Sequence, residues 1–206
     1  MERKTLRLIS EIIFLLLFAF LFLQGRLQIW VLAWFAGILL SFVFSRVYCG
    51  WACPIGTLMR FQSWLYKKMN IKRFDINKNN FVTSVRYILL AGFFAGMFAV
   101  RARGVELNII FYLVIAGAAL SFFFEENFWH KICPHGTVLA LTNKATSFNM
   151  EIEKDKCAGC GLCEQVCPNQ TIRELEDGTR KIVNKECLVC RDCESVCPVN
   201  AISYGK

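Results

Sequence analysis

The hydrophobic and polar positions divide this chain into two parts. Up to about residue 148, long apolar stretches alternate with short, mostly basic connections. Beyond that point apolar residues are scattered singly among charges and cysteines. Four apolar stretches stand out, at 6–23, 29–44, 85–100 and 109–124. Each lies at the short edge of the roughly 20 residues that cross a bilayer as a helix, and flanking residues can extend each one. The first contains Arg7 and Glu11. No small-residue cleavage site follows it, so it reads as a span and not as a removed leader. Four transmembrane helices are therefore expected. Over 57–73, Leu58, Phe61, Leu65 and Met69 recur near helical spacing among basic residues. That pattern fits a short interfacial helix, and equally a solvated basic loop.

The membrane part matches itself when shifted by 80 residues. Ala36-Gly37 aligns with Ala116-Gly117, and Leu40-Ser41-Phe42 with Leu120-Ser121-Phe122. Phe44 aligns with Phe124, Cys53-Pro54 with Cys133-Pro134 and Gly56-Thr57 with Gly136-Thr137. This gives 10 identities in 22 positions, and apolar bias alone does not produce the shared C-P-x-G-T. The unit read here is a helix pair, a cysteine motif and then a surface helix, in copies at about 1–72 and 81–148. An even number of spans separates the two motifs, so both fall on one face of the membrane. If the first motif is helical, Cys49 and Cys53 stand one turn apart on one side. The position matching Cys49 in the second copy is Trp129. Cys49, Cys53 and Cys133 thus form a candidate membrane-edge metal site that lacks a fourth ligand, with His130 and His135 the candidates for it. Buried free thiols in a helix-ending turn are the alternative.

Charge sharpens the division. The net charge is +8. Residues 1–148 carry 16 Lys and Arg against 6 Asp and Glu, and residues 149–206 carry 8 against 10. The basic excess belongs to the membrane part, so nucleic-acid binding is not implied. Thirteen of the membrane part's Lys and Arg lie at the N-terminus, between the second and third stretches, or after the fourth. Only Arg26, Arg101 and Arg103 lie on the other side. The positive-inside rule then puts both termini, the middle loop and residues 149–206 in the cytoplasm, with the chain in the inner membrane. Arg101, Arg103 and Glu106 read as solvated loop residues.

Composition agrees: 55% of residues are hydrophobic and mean hydropathy is +0.41. The two histidines make a multi-haem membrane protein an unsuitable reading. Eight of the 11 cysteines fall in two C-x2-C-x2-C-x3-C-P runs, 30 residues apart. Thiols this dense bind metal and do not form a disulfide framework. In such runs the fourth cysteine of each ligates the other cluster. One 4Fe–4S cluster should take Cys157, Cys160, Cys163 and Cys197, and a second Cys187, Cys190, Cys193 and Cys167. Paired zinc sites are the alternative, but zinc favours two C-x2-C pairs per ion over triplets with a remote fourth ligand. Between the runs, 171–183 reads as a hairpin turning at Asp177-Gly178. The fold class expected is a membrane all-α domain (1–148) of four transmembrane helices in two repeated pairs. A small α+β ferredoxin-like domain with two 4Fe–4S clusters (149–206) follows it.

Four spans, Tyr48-Cys49-Gly50-Trp51-Ala52-Cys53-Pro54-Ile55-Gly56, a second C-P-x-G at 133–136 and the double cysteine run together resemble the NapH-type family of polytopic membrane ferredoxins. NosR-type and CcoG-type proteins share the membrane unit. The resemblance covers nearly the whole chain. It implies a role in electron transfer for Cys49, Cys53 and Cys133, while Trp129 stands where the family usually has cysteine. The function it implies is a membrane-bound iron–sulfur subunit relaying electrons between a quinone pool, or a membrane partner, and cytoplasmic clusters. The candidate cofactors are two 4Fe–4S clusters, a third iron–sulfur or other metal centre, and quinone. Membrane lipid, quinol and other redox subunits are the expected partners. An electron-donating maturation or regulatory factor for a metalloenzyme, and a ferredoxin anchor subunit of a larger complex, are the alternatives. No constellation of general acid and base marks a substrate site, so any quinol dehydrogenase activity would be that of a component.

Overall fold

The structure is a computed structural model. It describes residues 2–74, 80–104, 109–143 and 146–205; the expected charges Lys78, Glu106 and Lys144 lie outside the described residues. Helix α1 (Glu2–Leu23) is followed by a short 3-10 turn, Leu27–Ile29, and then by α2 (Trp30–Phe44). After them come α3 (Val47–Trp51), α4 (Pro54–Lys68), α5 (Asn80–Ala102), α6 (Ile109–Ser121), α7 (Glu126–Ile132) and α8 (Pro134–Thr142). Among the described residues three helical stretches are long and apolar enough to cross a membrane: Arg3–Leu23, Leu27–Phe44 and Val85–Ala102. Helix α6, in the fourth apolar stretch, is shorter at 13 residues.

The outward faces of these helices are apolar. Leu16, Leu23, Leu39, Ile88 and Phe98 are each more than 60% exposed. A continuous apolar surface of this extent has no place in water and suits lipid. Arg7 and Glu11 are the exception within α1. Both are buried, because Arg7 pairs with Glu11 and with Asp192 near the C-terminus, and Glu11 also pairs with Arg60 of α4.

Two helix breaks deliver the membrane-part cysteines. Helix α3 ends at Trp51, and Cys53 is extended with φ −75° and ψ 117°. Pro54 disfavours a helical residue before it and then starts α4 at the first helical position, where its missing N–H costs nothing. The expected single helix carrying Cys49 and Cys53 is therefore two helices, with Cys53 capping the second. Cys133 repeats this step between α7 and α8, with φ −55° and ψ 121° ahead of Pro134. The helices that follow differ. Helix α4 keeps Phe61, Leu65 and Met69 exposed, consistent with an interfacial position. Helix α8 is no surface helix: Thr137, Leu139 and Ala140 are fully buried where it packs between α2 and α5. Its sequence is uncharged from Val138 to Thr142, whereas α4 carries Arg60, Lys67 and Lys68.

Residues 149–205 form two small antiparallel sheets. Strand β1 (Asn149–Ile152) pairs with β4 (Ile202–Gly205), tying the ends of the segment together. Strands β2 (Ile172–Glu174) and β3 (Arg180–Ile182) form the hairpin around Asp177-Gly178. One-turn helices α9 (Leu162–Val166) and α10 (Asp192–Val196) follow the two cysteine triplets. Between the sheets lies a core of Met150, Ile172, Ile182, Val189 and Ile202 with Cys163, Cys187 and Cys193.

Candidate metal centres

The two cysteine runs follow one backbone path. Gly159 and Gly161 have positive φ, and so do Val189 and Arg191, 30 residues on; Gln170 and Asn200 form a third such pair. Left-handed residues inside a tight loop turn successive amide N–H groups toward one side, which suits an anionic centre. The N–H of Val189 donates to Cys187 Sγ at 3.4 Å, that of Thr171 to Cys167 Sγ at 3.4 Å, and that of Ala201 to Cys197 Sγ at 3.3 Å. Glycine takes this conformation freely, but a β-branched valine there is an outlier.

Two small internal cavities follow from that path. One, of about 330 Å³, is lined by Cys157, Cys160, Cys163 and Cys197, with Arg180 and Ile202 among its other walls. The other, of about 340 Å³, is lined by Cys167, Cys187, Cys190 and Cys193. Three cysteines of one run thus meet the fourth of the other, in both directions. Among the described residues no three His, Cys, Asp or Glu side chains converge closely enough for a single metal ion. A tetrahedral zinc site would need its sulfurs about 4 Å apart, since each Zn–S bond is about 2.3 Å. Burial raises the thiols of Cys163, Cys190 and Cys193 and pushes Cys187 up to about 11. Bare thiols are therefore neutral here, and binding a cluster must displace their protons.

At the membrane edge Cys49 and Cys133 are buried and Cys53 is half-buried. The three thiols are near enough to interact electrostatically with one another. Burial raises Cys49 and Cys53 and pushes Cys133 up to about 11. The N–H groups of Ile55 and Gly56 face Cys53 Sγ, and those of His135 and Gly136 face Cys133 Sγ, as the first turns of α4 and α8 provide. Trp129, at the position matching Cys49, packs its ring into the notch left by Gly117, where a Cβ would stand 3.1 Å from the indole. It belongs to the core of Ile55, Met59, Ile132 and Cys133. The two histidines part company. His135 stacks on Trp34 at 4.6 Å between centroids and meets Phe93 edge-on at 5.7 Å. His130 is only 5% exposed, and its Nε2 has no hydrogen-bond partner. Burial lowers it to about 3, so the ring is neutral.

The second cysteine loop docks on this edge. Leu188 and Val189 are each 2% exposed, and Leu188 packs with Cys49 and Leu139. Gly50 allows the approach: a Cβ there would lie 2.2 Å from the Leu188 carbonyl oxygen. Trp51 Nε1 donates to the Val189 carbonyl at 2.9 Å, and Arg7 to that of Cys190 at 2.7 Å. Glu186, next to Cys187, accepts from Arg46 at 3.1 Å and from Arg86 at 2.5 Å. Arg46 is fully buried, and its Nη2 lies 4.0 Å from Cys49 Sγ. Sequence reasoning missed Arg46, Arg86 and Glu186 because each alone reads as an ordinary surface charge. Their only sequence signal is that Arg46 and Glu186 immediately precede cysteine motifs.

Comparison with known proteins places this geometry. Residues 26–72 and 109–153 match the 4Fe–4S binding domain family, and residues 151–204 match the 4Fe–4S dicluster domain family. An uncharacterized protein of Methanocaldococcus jannaschii is 30% identical over 143 residues, covering 65% of this chain and 55% of that protein. The ferredoxin-type protein NapH of Haemophilus influenzae is 26% identical over 147 residues, covering 62% and 49%. The methylamine utilization ferredoxin-type protein MauN of Methylorubrum extorquens is 26% identical over 136 residues, covering 60% and 47%. The chain thus spans about half the length of these curated relatives. With both cluster-domain families matched and ferredoxin-type proteins such as NapH and MauN among its relatives, the chain belongs to the NapH-type family of ferredoxin-like 4Fe–4S electron-transfer proteins.

Proposed function

We propose that this chain is a membrane-bound subunit that relays electrons between the quinone pool, or a membrane partner, and 4Fe–4S clusters on the cytoplasmic side. In this reading the stretch holding α6 completes four spans arranged as two repeated helix pairs. The 13-to-3 placement of basic residues supports a cytoplasmic position for both termini and the cysteine-rich segment. Cys157, Cys160, Cys163 and Cys197 hold one cluster, and Cys167, Cys187, Cys190 and Cys193 hold the other. When bound, such clusters supply one-electron carriers whose potentials follow from hydrogen bonding, charge and exposure. The chain's own part is to hold the thiolates, aim N–H groups at the sulfurs and keep the second site against the membrane edge.

The observation that carries this reading is the docking of the Cys187–Cys190 loop on α3 through Gly50, Trp51 and Leu188. A ferredoxin tethered only for anchoring has no need to bury one of its cysteine loops against a second set of cysteines. Quinol gives up two electrons and two protons on oxidation; the two sites take one electron each, and the protons leave to solvent.

The test uses the full chain in membranes under anaerobic conditions. Added quinol should bleach the cluster absorbance to the extent that a strong reductant does. Bleaching by a soluble low-potential donor, with no response to quinol or to a membrane fraction, would overturn the relay.

A further inference from the structure

The thiols of Cys49, Cys53 and Cys133 leave a cubane one ligand short, since 4Fe–4S clusters are held by four protein ligands. We propose that His130 supplies the fourth, through Nε2, making a three-thiolate, one-imidazole site for a third 4Fe–4S cluster at the membrane edge. The inference deepens the relay reading and rests on it for its purpose, while the ligand set stands on its own geometry.

Four observations carry it. His130 is buried, yet its Nε2 has no partner, an arrangement that costs about 1–3 kcal/mol unless something binds there. Its Cε1, the ring atom next to Nε2, lies 3.8 Å from where a Gly56 Cβ would stand, and Cys53 Cβ lies 3.7 Å from the same point. The imidazole edge and the Cys53 side chain thus flank one glycine. Both Cys-Pro breaks then bring amide N–H groups to the thiols, the hydrogen bonding that iron–sulfur ligands normally receive. Finally, the buried Arg46 guanidinium stands beside Cys49 and 2.7 Å from a Cβ position on Gly136, a cation placed to balance an anionic cluster.

Competing donors are accounted for. His135 is committed to the rings of Trp34 and Phe93. Trp129, which holds the place of the missing cysteine, is locked into the Gly117 notch. His130, one residue later on α7, presents its ring where Trp129 does not. Because these donors do not converge on a single ion, the ligand class indicated is a multi-iron cluster and not zinc. Exchanging one thiolate for a neutral imidazole removes negative charge, so this centre should be easier to reduce than the two all-cysteine sites.

The experiment uses the full chain, reconstituted anaerobically in detergent, with iron counting, electron paramagnetic resonance and nitrogen hyperfine measurement. The wild type should hold about twelve irons, four beyond the two all-cysteine clusters. It should also show one imidazole nitrogen coupled to a cluster. His130→Ala should lose about four irons or convert that centre to a three-iron signal, leaving the other two spectra intact. His130→Cys should keep the iron, lose the nitrogen coupling and shift the midpoint potential of that centre downward. This variant guards against misfolding of the alanine form. His135→Ala should retain the full iron content. About eight irons in the wild type would overturn the proposal. So would an unchanged spectrum in His130→Ala, or nitrogen coupling that survives His130→Cys. Quinol-driven bleaching of the two all-cysteine clusters is scored separately, so failure of the relay and failure of the ligand set give different results.

Discussion

The two cysteine runs share a spacing, a backbone path and a cavity shape, but they face different surroundings. The first, Cys157 to Cys163, turns its left-handed positions on Gly159 and Gly161, and Cys160 is exposed. The second, Cys187 to Cys193, uses Val189 and Arg191 at the same positions and is buried against the membrane part. A left-handed non-glycine residue costs roughly 1–2 kcal/mol. The second run bears that cost twice because the residues there do something glycine cannot. Val189 fills the core, and Arg191 forms a paired ion bridge to Glu194. One run is thus built for its cluster alone, and the other for its cluster and its neighbour. The same amino-acid spacing serves as a free edge in one place and as an interface in the other.

Cutting the interface should have the largest effect. Glu186→Ala would leave Arg46 and Arg86 as uncompensated buried cations, an expected loss of about 3–5 kcal/mol. Limited proteolysis should then release the C-terminal segment far more readily than from wild type, and the quinol response should fall with it. Release unchanged from wild type would show that the docking does not depend on this carboxylate. Gly50→Ala acts on the same contact from the other side. A methyl group 2.2 Å from the Leu188 carbonyl oxygen cannot be accommodated without movement, at about 1–3 kcal/mol. Both cysteine cavities should still take up iron, so the readout is again release of the segment.

The reciprocal pair of glycine exchanges is subtler. Gly159→Ala should weaken only the first site, by about 1–2 kcal/mol from the left-handed backbone, with a further clash against the Gly178 carbonyl oxygen at 2.8 Å. Faster loss of one cluster's iron to a chelator, with the other retained, is the expected outcome. Val189→Gly relieves strain but empties a buried position, so its net change should lie within about 1 kcal/mol of zero by thermal melting. Equal sensitivity at 159 and 189 would erase the distinction between the runs.

Much of this was legible in the sequence, and the parts that were not share a cause. The cysteine spacing allowed both ligand sets to be written down, because C-x2-C-x2-C-x3-C-P is local information that the backbone must obey. The hairpin at Asp177-Gly178 was legible for the same reason. The single-helix reading of Cys49 and Cys53 went astray by giving period more weight than Pro54, whose effect on the preceding residue was readable. The burial of α8, the separation of His130 from His135 and the Glu186 bridge depend on segments about 40 to 140 residues apart meeting in space. No local pattern carries them.

The charges inside the first apolar helix have a consequence for how the molecule is made. Arg7 and Glu11 stand one turn apart and can neutralise each other as soon as α1 forms. Their remaining partners, Arg60 and Asp192, are synthesised later, the last of them near the chain's end. The ribosome therefore completes the acceptor of the N-terminal clasp almost last. Until then α1 is a provisional resident of the bilayer, held by one internal pair. Final locking of the first helix and closure of the last cysteine loop become a single event, a timing signal that reports a fully translated chain.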